Sequence, residues 1–163
     1  MTSAEDAWVG LGSNLAAPAA QVRAALDALA QVKETELVAA SPLYASAPMG
    51  PSEQPDYVNA VAHLRTRLEP HGLLDALQSI EHAAGRVRAG QRWGPRVLDL
   101  DLIAFGDRSI ADERLCVPHP GAAERPFVLR PLADVAPQLE LPGLGSVGSL
   151  LAAVSDTGVW RLE

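Results

Sequence analysis

Leu98-Asp99-Leu100-Asp101-Leu102 sets two carboxylates two residues apart in an otherwise apolar run. As a strand, this segment sends alternate side chains to opposite faces, so Asp99 and Asp101 share one face with Cα atoms ~6.5–7 Å apart. The three leucines fill the other face. Like charges held side by side repel, and a hard cation relieves them. Mg²⁺ suits such a pair, because it prefers oxygen ligands and takes one or two carboxylates together with phosphate oxygens. Just upstream, the window from Arg86 to Arg96 carries Arg86, Arg88, Arg92 and Arg96 and no acid. Thirteen basic residues spread evenly over 163 positions would put about one there. All the basic residues except Lys33 are arginine, whose planar fork matches phosphate and carboxylate oxygens. Alone, an Asp-x-Asp fits a solvent-facing polar stripe, and an arginine run fits a solvated loop. Together they suit a polyphosphate, which needs its charge neutralised and its atoms aligned.

Other chemistries have less support. The chain has no GxxxxGK[ST] loop and no GxGxxG fingerprint. Gly10-Leu11-Gly12-Ser13-Asn14 follows a strand pattern and precedes a helix, which is read as a tight strand-to-helix turn rather than a phosphate loop. No Ser-His-Asp or Cys-His nucleophile set is apparent. Cys116 lies in an apolar stretch and is expected to be buried. His63, His71 and His82 fall in strand or helix patterns, whereas His119 sits in a Pro-His-Pro loop near Arg125. Of seven aromatic residues, Tyr57, Trp93 and Phe127 lie in or beside these motifs and could stack on a planar heterocycle. Asn59 would share a strand face with Tyr57 and offer an amide to ring edges. Read as structure alone, Tyr57 and Phe127 are also ordinary core residues.

These groups need a frame. Ala7–Gly12 reads as a first strand. Val22, Ala25, Leu26, Leu29 and Ala30 recur at helical spacing after Pro18. Glu36–Tyr44 reads as a strand broken at Ser41-Pro42, at a sheet edge. Ala47–Pro55 is a proline-rich loop. Tyr57–Leu68 alternates, with Val58, Ala60, Ala62 and Leu64 on one side and Tyr57, Asn59 and Val61 on the other. Pro70 opens a second helix striped by Leu73, Leu74, Leu77, Ile80 and Ala84. The arginine loop follows, then a strand over 97–105 and a turn at Gly106-Asp107. Short helices are expected over Phe127–Ala133 and Ser146–Val154. The order β-α-β-β-α-β over the first 105 residues gives an α+β fold with a ferredoxin-like core. Its sheet is largely antiparallel and flanked by helices in α/β/α layers.

Arg92-Trp93-Gly94-Pro95-Arg96-Val97-Leu98-Asp99-Leu100-Asp101-Leu102-Ile103 resembles the signature of the 6-hydroxymethyl-7,8-dihydropterin pyrophosphokinase family, and the resemblance runs nearly the whole chain. Gly10–Leu15 is similar to the family's opening, and Pro48–Pro51 with Gln54–Ala60 to its pterin-side segment. Glu81 and Gly85–Arg88 match its helix end, and Val117-Pro118-His119 its ATP-side loop; Arg125, Phe127 and Pro131-Leu132 continue the match. The resemblance implies pyrophosphate transfer from ATP to the hydroxymethyl oxygen of a dihydropterin, in folate biosynthesis. It implies two Mg²⁺ ions held by Asp99 and Asp101, with Arg86 and Arg96 on the transferring phosphates. By the same resemblance the pterin falls to Ser46, Met49, Tyr57, Asn59, Trp93 and Phe127. ATP falls to Gln78, Glu81, Arg88, Arg96, Arg114, His119 and Arg125. The chain departs from the family pattern at Ala47, Ala89, Cys116 and Pro120.

Without the resemblance, the residues alone reach an Mg²⁺-dependent polyphosphate enzyme with a heterocycle site. A catalytically silent nucleotide-binding module of the same shape is a second reading. An RNA-binding ferredoxin-like domain is a third, disfavoured by the Asp pair and by a net charge of −7. That charge also argues against anionic membranes. With 163 residues, 48% of them hydrophobic, one domain over residues 1–163 in the cytoplasm is expected, and the family resemblance implies a monomer. One cysteine excludes an internal disulfide, and no apolar run reaches the ~18 residues of a membrane span.

Overall fold

The computed structural model describes residues 3–14, 17–46, 56–84, 98–154 and 158–162. The first two thirds of the chain run β1 (Glu5–Ser13), α1 (Pro18–Leu29), β2 (Thr35–Ala40), β3 (Tyr44–Ser46), β4 (Tyr57–Thr66), α2 (Pro70–Ala83) and β5 (Asp99–Phe105). Then come β6 (Ile110–Ala111), β7 (Cys116–Val117), α3 (Pro126–Val135), β8 (Glu140–Leu141), β9 (Gly145–Ser146), α4 (Val147–Ala153) and β10 (Val159–Arg161). The main sheet has the order β10-β3-β4-β1-β5, with β2 also pairing β4, and its pairs are antiparallel. Counting β2 and β3 as one interrupted strand gives the expected β-α-β-β-α-β core.

Each face of the sheet has its own apolar layer. Val9, Leu11, Val58, Ala60, Leu64, Leu100 and Leu102 pack with Val22 and Leu29 of α1 and Leu73 and Leu77 of α2. Trp8, Val61 and Ile103 face the other way and pack with Leu132 of α3 and Val147 of α4. The α/β/α layering follows from this division. Pro18 and Pro70 start their helices in the first turn, where the missing N–H costs nothing. A fully buried leucine contributes about 1.5–3 kcal/mol relative to exposure, so these leucine stripes dominate the packing.

The break at Ser41-Pro42 is repaired by a side chain. The Ser41 N–H donates to the Val61 carbonyl at 2.9 Å, and the Val61 N–H donates to Ser41 Oγ at 2.9 Å. The hydroxyl thus supplies the acceptor that an interrupted strand lacks. The β6–β7 and β8–β9 hairpins and β10 go beyond the elements expected from sequence. Their strands have two or three residues, too few for an alternating pattern to show. Among the described residues, no helix is long and apolar enough to cross a membrane.

Tyr44, 2% exposed, ties the C-terminal elements to the sheet. Its hydroxyl donates a short hydrogen bond to Asp134 of α3, the Arg130 guanidinium lies 6.0 Å from its ring, and Arg161 of β10 is its cross-strand partner. Burial holds the phenol protonated above its ordinary value of 10.0, helped by the bond to Asp134 and that carboxylate's charge, against Arg130 and Arg161. The unfolded chain ionises Tyr44 first, so its stabilising contribution is full below pH 10 and fades as pH rises toward the raised folded value. Tyr44→Phe is expected to cost about 1–2 kcal/mol at neutral pH by urea denaturation. It should also remove the later tyrosinate component from an alkaline absorbance titration. A parent-like titration would disprove this account.

Candidate functional site

The pairing register builds the site. Gly12 of β1 lies between Asn59 of β4 and Asp99 of β5, and Gly10 between Val61 and Asp101. Adjacent strands are ~4.8 Å apart, so Asn59 and Asp99 stand ~10 Å apart with no Cβ between them. The opening glycines lie inside β1, as the strand reading of Ala7–Gly12 has it; the tight-turn reading of Gly10–Asn14 does not hold for them. Each makes room for a neighbour. A Cβ on Gly12 would sit 3.2 Å from Asn59 Nδ2, and one on Gly10 would sit 3.3 Å from Ile103 Cδ1. Asn59 is buried, and its Oδ1 accepts from Ser46 Oγ at 2.6 Å, which turns the amide nitrogen toward the Gly12 gap. Tyr57 lies on the same side, with its ring carbon Cδ1 3.9 Å from that Cβ position. Phe127 lies in the first turn of α3, the helix that packs on β4.

Strand β5 is an edge strand, and two contacts fix its outer side. Glu81, 7% exposed on α2, accepts the Leu100 N–H at 2.7 Å, between the two aspartates. Farther along, Val9 pairs with Leu102 and Trp8 with Ala104, which leaves Ile103 as a bulge. The Ile103 carbonyl accepts the His119 N–H at 2.9 Å. His119 Nδ1 accepts the Gly121 N–H at 3.1 Å, so a neutral ring carries its proton on Nε2. Burial lowers the imidazole's proton affinity; Asp101 pulls it up and Arg125 pulls it down. Arg125 precedes α3, and its guanidinium carbon lies 6.0 Å from the Phe127 ring centre.

Arg114, on the β6–β7 turn, reaches α2. Its Nη2 donates to Asp75 Oδ1 at 2.6 Å and to Gln78 Oε1 at 3.5 Å. The turn is held by Asp112, which accepts the Arg114 and Leu115 N–H groups at 2.9 Å each and bonds His71 Nε2 at 2.7 Å. Those two backbone bonds, with a smaller contribution from His71, hold the Asp112 carboxyl below its ordinary value.

A family profile described as 7,8-dihydro-6-hydroxymethylpterin-pyrophosphokinase (HPPK) matches residues 8–137. The chain belongs to the HPPK family. A Pseudomonas aeruginosa protein named 2-amino-4-hydroxy-6-hydroxymethyldihydropteridine pyrophosphokinase is 55% identical over 155 residues, covering 95% of each chain. Its namesake from Haemophilus influenzae is 47% identical over 157 residues, covering 96% of this chain and 98% of that one. The fold matches a solved Plasmodium falciparum HPPK-DHPS with pterin and p-hydroxybenzoate at a TM-score of 0.71 and 14% identity. That match covers 93% of this chain and 43% of the other, so this chain spans less than half of it.

Within this HPPK-family chain, the register brings Ser46, Tyr57, Asn59, Asp99 and Asp101 to one sheet face. Asp101 and Arg125 both act electrostatically on His119, and Arg114 meets Gln78. Met49, Arg86, Arg88, Trp93 and Arg96 lie outside the described residues. Glu81 supports the β5 backbone through Leu100, a contact that sequence spacing does not reveal. Cys116 is exposed, contrary to the expectation from its apolar neighbours. The two-residue strand β7 turns Val117 into the core and so turns Cys116 outward. Two contributors escape sequence reasoning. Asp75 could have been found from its place three residues before Gln78 on one helix face, whereas Gly121 left no signal.

Among the described residues, no three or more His, Cys, Asp or Glu side chains are placed to hold a metal by themselves. The Asp99–Asp101 pair is instead half-buried at Asp99 and exposed at Asp101, and it shares a sheet face with Gly10 and Gly12. This suits Mg²⁺ that completes its oxygen shell with ligand phosphate and water.

Gly12→Ala tests the gap directly. Asn59 must yield a few tenths of an ångström, which strains its bond to Ser46. The expected cost is about 1–3 kcal/mol in urea denaturation, as for other overpacked cores. The cost should shrink when Ser46→Ala is already present. An unchanged midpoint would mean that Asn59 moves freely.

Proposed function

We propose that this chain transfers pyrophosphate from ATP to 6-hydroxymethyl-7,8-dihydropterin, the step in folate biosynthesis for which its HPPK relatives are named. The observation that carries the reading is the row Asn59–Gly12–Asp99, which sets a heterocycle-type amide and a metal-type carboxylate on either side of a glycine.

On this reading the pterin lies over Gly12. Asn59 meets the ring edge through its amide nitrogen, and Tyr57, Phe127 and Trp93 stack on the ring. Asp99 and Asp101 hold two Mg²⁺ ions, which when bound supply charge neutralisation on the triphosphate. Gln78, Arg88, Arg114, His119 and Arg125 bind the nucleotide side, and Arg86 and Arg96 bear on the transferring phosphates. Glu81 acts at one remove, by holding the backbone between the two aspartates. The hydroxymethyl oxygen bonds to the β-phosphorus as the bond from that phosphorus to the α,β-bridging oxygen breaks. AMP leaves and the hydroxyl proton is released. No covalent enzyme intermediate is needed, so the residues act by positioning and charge. His119, neutral with its proton on Nε2, offers a donor without adding a charge.

Purified protein mixed with ATP, Mg²⁺ and the dihydropterin is expected to give AMP in amounts equal to the pterin diphosphate. It should give none when pterin or metal is left out. ADP as the product would place attack at the γ-phosphorus and overturn the reading. Absence of any product from folded protein would favour the silent binding module. Asp101→Asn is expected to lower turnover about 100-fold or more while leaving pterin affinity within a few-fold, because its charge acts on the phosphates. Equal losses in both would contradict that division.

A further inference from the structure

Gly121 has φ −92° and ψ −5°, backbone angles open to any residue. Nothing in its conformation requires glycine; what marks the position is the side chain packed over it. A Cβ at this position would lie 2.7 Å from Arg125 Cζ, 2.7 Å from Arg125 Nε and 2.9 Å from Arg125 Nη2. The guanidinium therefore occupies the space that any other side chain would fill. Its Cζ also lies 6.0 Å from the Phe127 ring centre. The same residue's N–H donates to His119 Nδ1 at 3.1 Å and so fixes which ring nitrogen carries the proton.

We propose that Gly121 is a positioning residue for the nucleotide side of the site. Its bare Cα seats the Arg125 guanidinium against Phe127, and its N–H sets the tautomer of His119. The inference rests on the reading that Arg125 contacts ATP. It adds that the seat is selected by the absence of a side chain at residue 121, with no backbone strain involved.

Gly121→Ala separates these two functions. Alanine tolerates the observed backbone angles and keeps the N–H, so the fold and the His119 tautomer should survive. The thermal midpoint should equal or exceed that of the parent, since alanine restricts the unfolded chain. A ¹H–¹⁵N correlation of the imidazole should still show Nδ1 unprotonated. Only the guanidinium must move. The expected result is a KM for ATP about tenfold higher, with the pterin dissociation constant within twofold of the parent. In an Arg125→Ala background, adding Gly121→Ala should change the KM for ATP by less than twofold, because the group it displaces is gone. If Gly121→Ala leaves the KM for ATP unchanged while Arg125→Ala raises it, the positioning proposal fails and the nucleotide-side reading stands. A full tenfold effect of Gly121→Ala in the Arg125→Ala background also overturns it. If Arg125→Ala itself leaves the KM for ATP unchanged, the placement of Arg125 on ATP falls and the proposal falls with it.

Discussion

The register of β1 between β4 and β5 is the constraint on which the rest of the site depends. It sets Gly12 level with both Asn59 and Asp99, and Gly10 level with Asp101. Side chains alternate along a strand, so a slip of one residue would send the site row into the apolar layer beneath α1 and α2. Leu11 and Val9 prevent this, because they are buried in that layer between the glycines and beside them. The apolar pattern of β1 and its bare positions are thus one device. The leucine and valine lock the register, and the glycines use it to let Ile103 and Asn59 approach the strand.

An edge strand is the weakest place to mount charged groups, since one side of its backbone has no partner strand. Here β5 carries both aspartates and is held from outside at two points. Glu81 takes the Leu100 N–H, and the bulge at Ile103 offers its carbonyl to the His119 N–H. The second contact has a consequence for the site. It draws the segment after β7 against β5 and brings His119 within electrostatic reach of Asp101. A regular β5 would turn the Ile103 carbonyl toward β1 and leave His119 without this anchor.

Much of this arrangement was legible in the residues. The alternation of β4 predicted both of its faces, with Val58, Ala60, Ala62 and Leu64 in one layer and Val61 in the other. The helical spacings after Pro18 and Pro70 predicted α1 and α2, and the shared face of Asp99 and Asp101 followed from strand geometry alone. What escaped had no local pattern. β10 has three residues and owes its place to pairing with β3, a contact more than a hundred positions away in the chain. The strand reading of Ala7–Gly12 placed Gly10 and Gly12 in β1 but gave no reason for glycine there. Their purpose is close approach, which depends on Asn59 and Ile103 across the sheet. Cys116 misled for a related reason. An apolar neighbourhood in sequence fixes no side-chain direction, and the pairing of Cys116 with Ala111 does.

The electrostatics of the site follow from the same packing. His119 lies between opposite influences, Asp101 favouring its charged form and Arg125 opposing it, and burial decides for the neutral ring. A cationic imidazole here would neutralise Asp101 and stand against Arg125. A neutral one leaves the carboxylate pair's negative charge intact and the guanidinium's positive charge separate, a few residues away. Such a site carries negative and positive charge close together, which a uniformly acidic or basic surface cannot do. The overall charge of −7 is compatible with an anionic ligand for this reason. Long-range repulsion is screened within ~8–10 Å at ordinary salt, so the groups within the site outweigh the distant acids.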